Sequence, residues 1–454
     1  MKVGFVIQRY GTEILGGAEY SCRLLAERLA GRHQVEILTT CARDYVTWAN
    51  EYPEGVDRVR GVSVRRFATA RTRDITEFNK YSEWIYNNPH TRQDEMEWLK
   101  LQGPWCPALQ EYIERNAHTY DVLVFFTYLY APTVLGLKAD PGRSILVPTA
   151  HDEPAIHLEI FKEVFSLPAG ISYLTEAERK FVTSTFEVRA LTQEVAGCGV
   201  DLSPSREGAG PDPEPDTSDA PDVGPEPLPA HLRQRGAFFR RRHRIDGKFA
   251  LYGGRIDPGK GCEELFEYFS SYVSEGTERG AGAPRATEPG GVQGSPPQRN
   301  AGGDATLFLM GAKLMAIPEE PWVRFGGTLS DQERVQALEA ATVVIVPSPY
   351  ESLSLLALEA FAVGTPVLGN ARSEVVVEHC KRSNAGLYYG DRDEFVESLN
   401  VLMGDERLRR AMGRNGREYI RRHYRWDVII AKYEKMFQSI RQPASAPAPP
   451  ARRR

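Results

Sequence analysis

The chain has 454 residues, 56 Lys and Arg against 61 Asp and Glu, and a net charge of −5. This length exceeds one ordinary core and predicts two or three domains of about 150 residues each. The mildly acidic balance argues against a nucleic-acid partner.

The opening stretch, MKVGFVIQRYG, reads as a strand running into a Gly-bearing loop and lacks the small-residue cleavage site of a signal peptide. The loop LGGAE (15–19) follows. Its Gly16 and Gly17 let the backbone approach a phosphate or a sugar closely, but it is not G-x-G-x-x-G, which lowers a dehydrogenase reading. Then comes a helix, GGAEYSCRLLAERLA, and the strands QVEILTT and VSVRRF. Residues 74–116 are helical in pattern and carry Trp84, Trp98 and Trp105. They form either a layer covering the first sheet or an aromatic wall on the acceptor side. The stretch 122–137, VLVFFTYLYAPTVLGL, is the most membrane-like in the chain. It is short and broken by tyrosines, Thr127 and Pro132, so it reads as a buried strand and a helix. SILVPTA is a further strand. The cysteines, at 22, 41, 106, 198, 262 and 380, follow no paired spacing. That pattern indicates neither zinc nor a disulfide framework and points to a reducing, cytoplasmic setting.

Two stretches, 203–230 and 275–303, are dense in Pro, Gly and acidic residues and poor in apolar ones, as is the tail from Gln442. They bury too little to offset the entropy of ordering and read as solvated insertions. Beyond the first insertion lies a basic run with two phenylalanines, RQRGAFFRRRHR (233–244). It reads as a solvated linker or as a peripheral membrane contact. The second half then alternates again, with strands FALYGG, ATLFLMG, VRFGG, TVVIVP and TPVLG. Ser330 with Glu333, and Asp391 with Glu394, mark helix starts.

This alternation predicts two Rossmann-like, doubly wound α/β domains facing across a cleft. The boundaries are 1–200, a linker over 201–236, a second domain over 237–425, a helix over 426–441 and a tail over 442–454.

The chemistry-bearing residues fall in loops after strands. In LYGGRIDPGKG (251–261), Arg255 and Lys260 follow a strand and precede a helix, where two cations suit a departing diphosphate. The bland alternative is a turn whose charges pair with Asp257 or Glu263. In YESLSLLALEAFAVGTPVLGN (350–370), Glu351 stands before a helix starting near Ser354, and Glu359 more than a turn inside it. A helix start after a buried parallel strand offers free N–H groups and a positive dipole end to a phosphate. Flanking carboxylates can grip vicinal hydroxyls. One anion site between two hydroxyl clamps matches a nucleoside diphosphate sugar. Alternatively, Glu359 pairs with a basic residue and Glu351 is solvated.

Taken in order, the GG-A-E loop, the GR-x-x-x-x-KG loop and PS-x-x-E-x7-E-A-x-A-x-GTPV resemble the retaining glycosyltransferases of the GT-B type, family 4. The likeness spans the chain apart from the insertions and tail, and the last motif is the most specific. It implies that Glu351 contacts the transferred sugar and Glu359 the ribose. Ser354 and Leu355 would give N–H groups to the diphosphate beside Arg255 and Lys260, with Gly16 and Gly17 approaching from the first domain. It nominates His151, in TAHDE (149–153), as the His near the donor sugar. It also makes WDVIIAKYEKMF the terminal helix that crosses back to the first domain. The chain departs from the family in having Ser352, Leu353 and Ser354 where many members have Gly-Phe-Gly, which bears on sugar preference.

The resemblance further implies transfer with retention from a UDP- or GDP-linked sugar to a glycan or lipid-linked acceptor, in envelope polysaccharide or glycoconjugate synthesis. No enzyme nucleophile is needed, and the load falls on the leaving group. The cations and helix start remove the need for a metal or other cofactor, and the only short D-x-D, Asp391–Asp393, reads as a helix cap. Domain closure would exclude water from the site. The alternatives are a nucleotide-sugar epimerase of the same shape and a non-catalytic sugar-nucleotide binding protein.

Overall fold

The computed structural model describes residues 1–14, 16–201, 230–281 and 305–441. Most of the two expected insertions, and the tail from Gln442, lie outside the described residues. The chain divides into two compact units, Met1–Gly199 together with the segment from Trp426, and Val200–Arg425. Among the described residues, no helix is long and apolar enough to cross a membrane.

The first unit is built on eight strands: β1 (Lys2–Val6), β2 (Gln34–Thr40), β3 (Gly55–Val59), β4 (Val62–Phe67), β5 (Val122–Phe126), β6 (Ser144–Val147), β7 (Gly170–Tyr173) and β8 (Thr192–Val195). They lie in the order β3-β4-β2-β1-β5-β6-β7-β8. Every pairing is parallel except β3 with β4. The central strands are buried along their length, as continuous apolar runs such as VLVFF require of a parallel sheet covered on both faces. Its helices are α1 (Gly17–Leu29), α2 (Ile75–Asn87), α3 (Arg92–Gln102), α4 (Pro107–Asn116), α5 (Ala131–Gly136), α6 (Ile160–Ser166) and α7 (Glu176–Thr185).

The aromatic-rich stretch 74–116 becomes α2 to α4. Asp74 caps α2, a Thr91–Asp94 capping box opens α3, and Pro107 starts α4. Trp98, Leu99, Leu109 and Ile113 share one core with Leu38, Leu123 and Phe125 of the sheet. The segment is therefore a covering layer. Trp98 is buried with its indole N–H on Ser82 Oγ at 2.9 Å, whereas Trp84 is 40% exposed.

Among its described residues the second unit has six parallel strands, β9 (Phe249–Gly253), β10 (Thr306–Met310), β11 (Val323–Phe325), β12 (Val343–Val346), β13 (Val367–Asn370) and β14 (Gly386–Tyr389). Their order is β11-β10-β9-β12-β13-β14. The helices are α8 (Ala230–His243), α9 (Cys262–Ala281), α10 (Asp331–Ala340), α11 (Leu355–Val363), α12 (Glu374–Ser383), α13 (Arg392–Gly404) and α14 (Glu406–His423). The last helix, α15 (Trp426–Arg441), packs in the first unit, where Lys432 Nζ donates to the Val195 carbonyl at 2.6 Å and Tyr433 and Phe437 are buried.

Two expected boundaries need correction. Residues 230–236, assigned to the linker, are the first turns of α8. That helix is held by Phe239, buried against Phe308 at 5.1 Å, and by Arg240, which donates to the Ala340 carbonyl at 2.6 Å. The basic run is thus a docked helix, and Arg242 pairs with Glu333. Residues 275–281, assigned to the second insertion, continue α9. Its packed face of Leu265, Phe269 and Tyr272 nucleates a helix that then extends at one hydrogen bond per residue.

α11 ends at Gly364, whose φ of 84° is the left-handed conformation that favours glycine. Here α11 meets α14 main chain to main chain: a Cβ on Gly413 would stand 2.4 Å from the Gly364 carbonyl oxygen. Gly413→Ala therefore forces two backbones apart. A loss of about 1–3 kcal/mol is expected, read as a lower midpoint in thermal or urea unfolding, as for overpacked cores in general.

Candidate active site

In open parallel sheets the loops at the carboxyl ends of adjacent strands form the binding edge. β9 and β12 are neighbours, with Ala250 opposite Val343 and Leu251 opposite Val344. The loop carrying Arg255 and Lys260 and the loop carrying Glu351 and Ser354 therefore leave the sheet side by side. Lys260 Nζ lies 2.7 Å from Glu351 Oε1, although the residues are 91 positions apart. The approach depends on Gly261, whose φ is 73° and where a Cβ would stand 2.5 Å from the Pro347 carbonyl oxygen. Asp257 shapes the same turn: its side chain accepts from the Lys260 N–H at 2.9 Å and stands 3.3 Å from Arg255 Nε. Tyr252 donates to the Arg255 carbonyl at 2.6 Å. Arg255 thus does pair with Asp257, as the bland alternative required, yet Lys260 reaches across to the neighbouring loop.

Ser354 is the N-cap of α11 in an unusual way. Its φ of 58° is left-handed for a residue with a Cβ, and its side chain makes no capping bond. The hydroxyl is buried, and Oγ has no hydrogen-bond partner among the described residues. The first N–H groups of α11, beginning at Leu355, have no carbonyl of their own helix to bond. Their positive end faces the edge that holds Lys260 and Glu351. Gly253, at the end of β9, has Leu356 Cδ1 3.0 Å from where its Cβ would be, so the Arg255 loop begins against the first turn of α11.

Glu359 sits one turn further along. Arg334 of α10 grips it, with Nη1 2.9 Å from Oε1 and 3.1 Å from Oε2. Burial raises the Glu359 carboxyl above its ordinary range, and the Arg334 charge opposes the shift. The basic-partner alternative for Glu359 is thus realised, with Glu359 on the helix that opens beside Glu351 and Arg334 on α10. Asp391 accepts from the Glu394 N–H at 2.9 Å and caps α13.

Gly16, Gly17 and His151 belong to the first unit, and the six other nominated residues to the second. A Cβ on Gly16 would fall 2.2 Å from Glu19 Oε2, so its bareness makes room for that carboxylate. Gly17 has open space beside it. Glu19 in turn holds Arg9, both buried, at 2.6 Å. His151 follows β6, 3.5 Å from Glu153 through Nε2. Burial would raise the Glu153 carboxyl, but hydrogen bonds from His151 and Tyr128 bring it below its ordinary value. Beneath this loop the buried Glu178 accepts from the Ala150 N–H at 2.6 Å and from the Leu174 N–H. Desolvation pushes its carboxyl up to about 8 despite those bonds. Residues with a Cβ and positive φ stand just past the ends of β5 and β6, at Thr127 and Thr149, as Ser354 does past β12. Strain of this kind persists only where its surroundings over-determine it and gathers at functional sites.

The residues missed in the sequence are partners rather than contacts. Arg334, Glu178 and Arg9 each fix a nominated residue or its loop. Only Glu19 had a local signal, as the acidic end of GG-A-E.

Residues 319–419 match the family model described as "Glycosyl transferases group 1", a segment that holds Glu351, Ser354, Leu355 and Glu359. The chain is 36% identical over 121 residues to an MMP alpha-(1->4)-mannosyltransferase of Mycolicibacterium hassiacum, covering 25% of this chain and 29% of that protein. It is 25% identical over 201 residues to a D-inositol 3-phosphate glycosyltransferase of Jonesia denitrificans, covering 44% and 45%. The chain thus spans less than half the length of these relatives. Among solved structures it resembles a sucrose-phosphate synthase of Thermosynechococcus elongatus, with a TM-score of 0.61, 16% identity and coverage of 97% and 98%. It also resembles Anabaena HepE in complex with UDP-glucose, with a TM-score of 0.61, 15% identity and coverage of 97% and 100%. The fold is therefore that of the GT-B glycosyltransferases, and its second unit carries a group 1 glycosyltransferase segment.

Glu178 has a pH signature. Its folded value of about 8 lies above that of an unfolded glutamate, so its contribution to stability is complete below about pH 4.5 and is lost as pH rises to about 8. Unfolding midpoints measured between pH 5 and pH 9 should fall in the parent protein and fall less in Glu178→Gln.

Proposed function

We propose that the protein is a retaining glycosyltransferase that moves a sugar from a UDP- or GDP-linked donor to a glycan or lipid-linked acceptor. The observation that carries this reading is the convergence of Lys260, Glu351 and the uncapped start of α11 on one sheet edge, with the buried Ser354 Oγ left without a partner among the described residues. A lysine ammonium has three protons, so Lys260 can keep Glu351 and still donate to phosphate oxygens. Glu351 retains a second oxygen for sugar hydroxyls, and Glu359, oriented by Arg334, meets the ribose. The names of the relatives, and the UDP-glucose bound by HepE, favour a nucleotide-sugar donor.

In this mechanism the bond from the anomeric carbon to the diphosphate oxygen breaks as negative charge gathers on the leaving group. Arg255, Lys260 and the α11 N–H groups meet that charge without having to reorganise. The acceptor oxygen bonds to the anomeric carbon on the face the diphosphate leaves, and its proton passes to the departing phosphate oxygen. Because these groups supply the positive charge, catalysis requires no divalent ion. Envelope polysaccharide or glycoconjugate synthesis in the cytoplasm is the proposed setting. On α8, Phe238, 51% exposed, and the exposed Arg241, with the exposed Arg244 in the turn that follows, offer a contact to an anionic membrane surface.

A thermal-shift screen of nucleoside diphosphates and their sugar conjugates should give a clear stabilisation by one base and one sugar. With that donor, Arg255→Ala and Lys260→Ala should each lower turnover by about 10²–10³. EDTA should leave turnover intact, and product analysis should find a glycosylated acceptor in place of an isomerised donor. Undiminished turnover in both variants would overturn the account of the leaving group. Co-sedimentation with anionic vesicles should drop when Phe238 and Arg241 are replaced by Ser; equal sedimentation would remove the membrane contact.

A further inference from the structure

The loop that presents α11 is held from behind by one histidine. His379, on α12, is 1% exposed. Its Nε2 lies 2.8 Å from the Leu353 carbonyl oxygen and its Nδ1 lies 3.0 Å from Tyr419 Oη. Tyr419 Oη is in turn 3.4 Å from Tyr424 Oη. A carbonyl only accepts, so Nε2 carries the proton and Nδ1 accepts from Tyr419, whose oxygen accepts from Tyr424. The direction of the whole chain is set at its Leu353 end. Burial lowers the imidazole to about 4, although the bond to Leu353 favours the charged form, so the ring is neutral under ordinary conditions. The facing titratable groups are Tyr419 and Tyr424 of the α14 segment and, on α12 itself, Glu378 and Arg382.

The accepted carbonyl belongs to the peptide that joins Leu353 to Ser354, the residue with a left-handed φ of 58°. In a trans peptide the C=O and N–H point opposite ways. Holding the Leu353 carbonyl inward therefore turns the Ser354 N–H away from the core. We propose that His379 is a positioning residue for transfer: its Nε2–H fixes the Leu353–Ser354 peptide so that the start of α11 presents its N–H groups to the diphosphate of the donor. This rests on the proposed function, and it adds a residue that touches neither donor nor acceptor.

The test compares two polar replacements in the full chain. The amide of His379→Gln reaches the Nε2 position and can still donate to Leu353, whereas the amide of His379→Asn stops at the Nδ1 position. The nucleoside diphosphate that best stabilises the parent is titrated by calorimetry, and the matching nucleoside without phosphates is tested as a competitor. His379→Asn should bind the diphosphate at least tenfold more weakly and lose a similar factor in kcat, with the nucleoside unchanged. His379→Gln should stay within about threefold of the parent in both. Equal loss for nucleoside and diphosphate would mean a merely structural role and overturn the proposal. So would parent-like behaviour of His379→Asn, or a Gln variant as weak as Asn. Should the Asn variant fail to fold, histidine nitrogen NMR of the parent decides: a proton on Nδ1 in place of Nε2 overturns the proposal, and a proton on Nε2 supports it. A parent that binds no nucleoside diphosphate at all defeats the proposed function itself, which is a different result.

Discussion

Lys260 and Glu351 meet at 2.7 Å because β9 and β12 are hydrogen-bonded neighbours running the same way. A parallel pair delivers both following loops to one edge, and everything in the second unit that resembles a site is organised around that delivery. Gly261 removes the side chain that would keep the loops apart. Asn370, at the end of β13, donates to the Pro347 carbonyl at 3.0 Å and to Glu264 at 2.9 Å, so the third strand in the row braces the first two. The ion pair is partly exposed, and such pairs contribute little to stability. Its importance lies in placement: one cation and one carboxylate are held at the start of a helix whose own first N–H groups have no internal partner.

The first unit shows the same logic with different residues. Arg9 is drawn into the protein by Glu19, and the face of its guanidinium lies 5.3 Å from the Tyr45 ring and 5.7 Å from the Trp48 ring. Arg73 fills the space behind them, donating to the carbonyls of Val46 and Tyr45 and to Gln102. Two buried guanidiniums thus fasten the loop after β2 through its carbonyls at Arg43, Tyr45 and Val46. A buried charge with each guanidinium nitrogen bonded makes a stiff support, since breaking one bond leaves a costly unpaired group.

The sequence was legible where burial is continuous. Runs such as VLVFF and VVIV announce central parallel strands, and the capping signals at Ser330 and Asp391 fall at true helix starts. β3 was invisible because Gly55–Val59 is an exposed antiparallel edge with no apolar pattern. β7, β8 and β14, with GISY, TQEV and GLYY, lack a continuous aliphatic run like the equally short VVIV. The nominated loops were readable because loop chemistry is local, while their partners were not. Nothing near Arg334 says that it reaches Glu359, and nothing near His379 says that it reaches Leu353, because those meetings are made by strand order and helix docking. Glu19 lay within a quoted motif, yet its bond to Arg9 depends on where β1 ends.

The bare contact between Gly364 and Gly413 has a bearing on how this protein can change. Most helices rest on neighbours through side chains, which drift over generations and let the helix shift by fractions of an ångström. At Gly364, α11 instead rests on α14 through peptide groups, which no substitution elsewhere can resize. Its C-terminal end is therefore set by a dimension common to all polypeptides. The surrounding surface is free to vary while that end stays in place, and a single added methyl group at the contact is the change it tolerates least.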